Sequence, residues 1–278
     1  VNTYYGVDAL IKDDISVSLP DCPDELMVYS YEPLRASEIS DLEEYLDDHS
    51  FNVTNYTFEA RMGNSYPKFI FRNETVRIDL VNNGAVTVDY NNSHIQRLDD
   101  NITGSEAIKI AEVFLDKHFE VPQDDFIRKI EVPTMIDVQT GNETILGIYI
   151  IKYYREIDDY ISAHAGSENQ ILIIVDAYKG VIDHAMYHWP DFDQIDTLKS
   201  NEMEDFEDII KDYISDHNLK IESNEIANIT NVSIVYANTV GFNLNDSIEE
   251  GSPYYIYLPY IRLEWETGAT YLSPLKAN

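Results

Sequence analysis

Apolar positions along the chain follow two rhythms that take turns. Leu26 to Tyr31 reads as a short strand, and Ile39, Leu42, Tyr45 and Leu46 then recur at helical spacing with acids on the opposite side. Ser40 and Glu43 have the spacing of a capping box at the start of that helix. From Tyr56 to Tyr90 the period drops to two, with Phe69, Phe71, Val76, Ile78, Leu80, Val86 and Val88 alternating with polar residues. Asn82-Asn83-Gly84 separates two of these runs and predicts a hairpin turn, because Asn and Gly accept positive φ.

The order then repeats. Thr103 and Glu106 form a second capping-box pair ahead of the apolar face Ala107, Ile110, Ala111, Phe114 and Leu115. Strand patterns follow at 126–138, 145–154 and 170–187, with Gly180 in the place that Gly84 holds earlier. Asn201 and Glu204 open a third cycle whose helix face is Phe206, Ile209, Ile210, Tyr213 and Ile214, followed by strands over 232–240 and 254–272. The expectation is an α+β fold of about three tandem units, each one helix packed on an antiparallel sheet. The expected limits are 1–33 for a leader with the first strand, 34–100 for unit 1 and 101–195 for unit 2. A shorter unit 3 over 196–278 packs on unit 2.

Charge narrows the function classes. With 51 Asp and Glu against 19 Lys and Arg, the formal charge is −32, and along the chain the basic residues are scattered singly or in the isolated pair Arg128-Lys129, so nucleic acid is not expected as a partner. Adhesion to anionic lipid through a polybasic face fails for the same reason. Such a chain gains stability from salt, which screens repulsion between its own carboxylates. Cys22 is the one cysteine, so no intramolecular disulfide forms, and its setting in the Pro20–Pro23 turn reads as a small buried or semi-buried residue. No apolar stretch is long enough to span a bilayer. The chain begins at Val1, which fits a processed protein whose signal or anchor lies upstream, the only membrane link expected.

Asn-X-Ser/Thr sequons occur nine times, at Asn52, Asn55, Asn73, Asn91, Asn101, Asn142, Asn228, Asn231 and Asn245. Random placement of the 21 Asn and 32 Ser or Thr gives about two, and turn clustering of these residues roughly doubles that. Sequon excess, acidity and the lack of disulfides together predict an extracellular or cell-surface glycoprotein, of the kind found outside archaeal cells.

Candidate chemistry is sparse. His184 and His188 have helical zinc spacing but lie in a predicted strand, where same-face residues four apart are about 13 Å from each other, so no metal is assigned. Asp99 to Gly104 imitates the start of a calcium loop, yet its twelfth position is Ile110, and the segment reads as a helix cap. Nucleophile elbows, zincin helices and phosphate-cradling loops are absent from the sequence, so no catalytic residue and no cofactor are assigned. Tyr254, Tyr255, Tyr257, Tyr260 and Trp265 crowd near the end as a candidate recognition surface; core and sheet packing is the favoured explanation for them.

One stretch resembles a known family. Tyr149-Ile150-Ile151-Lys152-Tyr153-Tyr154-Arg155-Glu156-Ile157, then Ile173-Ile174-Val175-Asp176 with Gly180 and Val181, is similar to the strand pattern of PepSY-like and YycI/YycH-like extracytoplasmic domains. So is the preceding helix, Glu106 to Ala111, and Leu258 to Trp265 resembles the closing strands. The turn these domains carry as Gly-Ile/Val-Pro is here Asp158-Asp159-Tyr160. The resemblance is best over 103–190 and implies a non-catalytic envelope module that acts by contact with another envelope protein, such as a protease or membrane sensor. A protease-inhibitor-like module and an extracellular hydrolase with an unlocated acidic site are the alternatives.

Overall fold

The computed structural model describes residues 19–31, 34, 36, 38–62, 67–81, 84–119, 126–136, 143–163, 171–203, 205–206, 208–209, 229–238, 255–265 and 270–275. The helix-on-meander repeat is corrected by it: the protein is mostly β, built on one large mixed sheet. In chain order the strands are β1 (Glu25–Tyr31), β2 (Thr57–Met62), β3 (Pro67–Arg72), β4 (Val76–Val81), β5 (Val86–Tyr90), β6 (Phe126–Glu131), β7 (Thr134–Ile136) and β8 (Glu143–Ile145). They continue with β9 (Ile148–Ile157), β10 (Tyr160–Ala163), β11 (Ile171–Asp176), β12 (Val181–Tyr187), β13 (Asp193–Lys199), β14 (Ile229–Asn238), β15 (Tyr255–Trp265) and β16 (Thr270–Pro274). The helices α1 (Ile39–Asp48) and α2 (Gly104–His118) join them.

Among the described residues, fourteen strands form one sheet, in the order β13-β1-β15-β14-β10-β9-β11-β12-β5-β4-β3-β2, with β16 on β15 and β6 on β9. Strand β12 pairs with β5, so residues expected in separate units share a ladder. Strand β1, expected in the leader, pairs with β13 and β15. The parallel contact of β10 with β14, through Ser162 and Ala163, links the two parts of the sheet.

Both helices feed a single core. Leu42 and Leu46 of α1 and Ala107, Ala111, Phe114 and Leu115 of α2 pack in one cluster with Phe71, Ile78, Val88, Ala185, Ile173 and Ile151. The strand residues among these stand opposite one another from β3 to β9, a continuous apolar row on the helix-covered face. Each large apolar side chain so buried contributes about 1.5–3 kcal/mol. A second cluster, with Leu26, Val28, Leu198, Val232, Ile234, Ile261 and Leu263, serves β1, β13, β14 and β15. Phe206 and Ile209 of the expected third helix are buried in that cluster, and most of that helix lies outside the described residues.

Local signals land unevenly. Thr103 caps α2, with Glu106 returning to the Thr103 N–H at 2.7 Å. In α1 the box is Glu38 with Asp41, two residues earlier than the expected Ser40 and Glu43. Gly84 and Gly180 have φ of +85° and +65°, as their turns require. Cys22 is exposed, against the expectation of a small buried or semi-buried residue.

Candidate functional site

Two regions of the described structure gather polar groups in unusual arrangements. The first lies where the parts of the sheet meet. Ile157 pairs with Tyr160, so Asp158 and Asp159 are the two-residue loop between β9 and β10, both at positive φ, +50° and +66°. A tight hairpin asks for this conformation, and Asp tolerates it better than most residues. The turn presents the Asp158 carboxylate to Tyr29 of β1, which donates to it at 2.8 Å, and to Tyr236 of β14, which donates at 3.1 Å. Around them Tyr31, Ile157 and Tyr236 form a small buried cluster flanked by Tyr160 and Phe192. Arg155 lies over the rings of Trp189 and Phe192 and donates to the Pro190 carbonyl.

The electrostatics of this joint speak for structure. Burial, helped by the hydrogen bond to Asp158 and its negative charge, pushes the Tyr29 hydroxyl up to about 12. Tyr236 and Tyr160 are also raised, in both cases chiefly by burial. Phenols held this way stay protonated at neutral pH, so they donate hydrogen bonds and do not serve as general bases.

The second region is the sheet face away from α1 and α2. Register sets its side chains in rows that cross the strands. One row runs Arg61–Lys68, the next Glu59–Ile70–Asp79–Thr87, and the third Thr57–Arg72–Arg77–Asp89–His184. Asp79, 3% exposed, takes a two-pronged bond from Arg77 at 2.8 and 2.9 Å and an ion pair from Lys68 at 2.6 Å. Arg61 pairs with Glu59, and that hydrogen bond holds the Glu59 carboxyl below its usual range. His184 meets Asp89 at 2.7 Å. Arg72 is exposed, stands directly opposite Arg77, and has no carboxylate in ion-pair reach among the described residues.

The residues singled out in the sequence are scattered. Asn52, Asn55, Asn73, Asn91, Asn101 and Asn231 are all exposed; Asn142, Asn228 and Asn245 lie outside the described residues. Asn55, Asn73 and Asn91 share one rim, next to the paired ends Thr57–Arg72 and Val76–Tyr90. Asn52 and Asn73 turn their Oδ1 atoms to the Thr54 and Thr75 hydroxyls at 2.7 and 3.1 Å. Tyr260 is 2% exposed and belongs to the second core, so it is no surface group. Tyr255, Tyr257 and Trp265 sit on β15 with undescribed side chains, and Tyr254 lies outside the described residues. No group of three or more metal-ligating residues occurs among the described residues. His184 lies in the third row of the open face, whereas His188 is buried with its ring 5.5 Å from that of Tyr31. The sequence marks Asp158-Asp159-Tyr160 only as a departure from the PepSY-like turn and gives no sign of the charged rows as a site, although alternation in β3 and β4 already puts Arg72 and Arg77 on the polar side.

No family model and no curated protein matches the chain, so the PepSY-like resemblance gains no support from them. Among solved structures it is similar to an uncharacterized protein from Eubacterium rectale ATCC 33656, at 12% identity and a TM-score of 0.47, covering 91% of this chain and 82% of that one. No helix of the described residues is long and apolar enough to cross a membrane.

Proposed function

We propose that this protein is a non-catalytic, extracytoplasmic cell-envelope protein that acts by contact with another envelope protein. The observation that carries the reading is the face of β2 to β5 opposite the helices, where Arg61 and Arg77 keep 58% and 45% of their side-chain surface exposed. Fixed rows of exposed charge on a rigid sheet suit recognition of a macromolecule, because the sheet holds each group in place before the partner arrives. The extracytoplasmic location draws on the nine sequons and the charge of −32.

The test is a photo-crosslinking residue placed at Thr57, in the third row of the open face, and at Val113, which is 68% exposed on α2 on the other side. In cells of the source organism, an adduct to one envelope protein from position 57 and none from position 113 is the expected result. Adducts from neither position, or equally from both, overturn the reading.

A further inference from the structure

Rows of like charge are an unusual way to build a sheet face. Residues directly opposite on adjacent strands interact strongly, and like charges in that relation destabilise the pair. Here Arg61 faces Lys68 and Arg72 faces Arg77, two basic stripes across the strands with the Glu59–Asp79 stripe between them, the second running on to Asp89 on the far side of Arg77. Three of the four cations are held by that middle stripe: Arg61 by Glu59, and Lys68 and Arg77 by Asp79. Arg72 feels Glu59 only through a longer-range attraction and has no ion pair among the described residues, in a chain where acids outnumber bases by 51 to 19. A chain so rich in carboxylates that still leaves an exposed guanidinium facing a second one has kept a carboxylate position open there.

We propose that this face docks an extended polypeptide segment of the partner, with an acidic residue taken by Arg72 beside Arg77 and a second one over Arg61 and Lys68. The inference rests on the protein-contact reading above and adds the partner's chemistry. Geometry selects the segment. Same-side residues repeat every two positions, about 6.8 Å along a strand, so the two basic stripes lie about 13.6 Å apart with the acidic stripe midway. An extended peptide carrying acids at i and i+4 matches the two basic stripes, and a basic residue at i+2 meets the partly exposed Glu59 between them, Asp79 being buried beneath Lys68 and Arg77. A uniformly anionic polymer does not, because some of its charges fall on Glu59. The guanidinium fork favours a carboxylate that it can grip with two parallel bonds.

The net charge of −32 opposes any acidic ligand at long range. Screening decides the balance: the Debye length is about 8 Å near 0.15 M salt and about 30 Å near 0.01 M. At the higher salt the stripes in contact outweigh the rest of the surface; at the lower salt the whole molecule repels. Binding therefore passes through a maximum with ionic strength, where simple attraction between opposite charges only declines.

The experiment is a fluorescence anisotropy titration of the full chain with labelled peptides at about 0.01, 0.15 and 0.6 M salt. The expected result is tightest binding of a Glu-Thr-Lys-Thr-Glu peptide at the middle salt, weaker binding of a Glu-Thr-Glu-Thr-Glu peptide, and still weaker binding of polygalacturonate. Arg72→Gln should weaken the first peptide about tenfold, the usual scale for a lost charge-assisted pair. Arg97→Gln removes the same charge from a residue stacked on Tyr178 and should leave binding unchanged. Arg72 is exposed and makes no ion pair among the described residues, so its replacement preserves the fold, which circular dichroism checks. Absence of peptide binding, equal loss in both variants, or tighter binding of polygalacturonate overturns the proposal. A crosslink from position 57 that survives such a result leaves protein contact standing and removes only the acidic segment.

Discussion

Tyr29 donates its phenolic hydrogen to Asp158 at 2.8 Å across 129 residues of sequence, tying β1 to the β9–β10 turn. Tyr236, fully buried, donates to the same carboxylate at 3.1 Å. Replacing Asp158 with Ala removes both acceptors, leaves the buried Tyr236 hydroxyl without an acceptor for its hydrogen and puts a non-polar residue at positive φ. The expected loss is about 2–4 kcal/mol. Asn keeps one acceptor oxygen and tolerates this backbone, so Asp158→Asn should lose about 1 kcal/mol. Urea unfolding of both variants checks the difference, and equal losses would place the joint's strength elsewhere.

Two glycines separate backbone strain from packing. Gly84 and Gly147 both have positive φ, +85° and +71°. A Cβ on Gly84 meets nothing within 4 Å, whereas one on Gly147 falls 1.9 Å from Cε2 of Tyr178. Gly84→Ala is expected to cost about 1–2 kcal/mol from the left-handed backbone alone. Gly147→Ala adds a clash with the ring, worth about 1–3 kcal/mol more. Thermal unfolding of the pair should show the larger loss at position 147.

These contacts mark what can be read from the chain and what cannot. The Thr103–Glu106 cap and the turns at Gly84 and Gly180 are local, decided by residues a few positions apart, and each is visible in the one-dimensional pattern. The pairing of β5 with β12 is non-local: Val88 meets Ala185 because two meanders continue one another, and no spacing in the sequence encodes that choice. A repeated helix-then-strands order fits separate units and one merged sheet equally well. The joint was hidden for the same reason, since Tyr29, Asp158 and Tyr236 come from three distant segments. The charged rows were nearer to view. Alternation fixes which side Arg72 and Arg77 share, but the β3–β4 register is needed to bring them face to face.

His118 makes stability depend on pH. Its ring is 6% exposed, stacks on Phe51 at 4.1 Å, and donates from Nδ1 to the His49 carbonyl at 2.9 Å. Burial holds its pKa below the ordinary value, partly offset by that hydrogen bond. The unfolded chain therefore takes up a proton first as pH falls below about 6.5, and the stability tied to the neutral ring is lost from there down to the folded pKa. Melting temperature should decline as pH falls through about 6.5, less steeply in His118→Gln. Parallel slopes for the two proteins would assign the decline to other groups.

The two helices end differently, and the difference predicts where stability is to be gained. Helix α2 carries Lys117 and His118 in its last turn, but α1 has no base there and ends on exposed Asp47 and Asp48. The C-terminal end of a helix bears partial negative charge from its unpaired carbonyls, so two carboxylates there are repelled. They also sit in the field of a chain with a net charge of −32. Asp48→Lys reverses the local sign and should stabilise the fold by about 0.5–1 kcal/mol at low salt. Near 1 M salt the Debye length shrinks to about 3 Å, so the gain should largely vanish while the parent protein itself becomes more stable. Melting curves of both proteins across a salt series check this: convergence at high salt is the expected outcome, and a constant gap would mean that the substituted side chain acts through packing instead of charge.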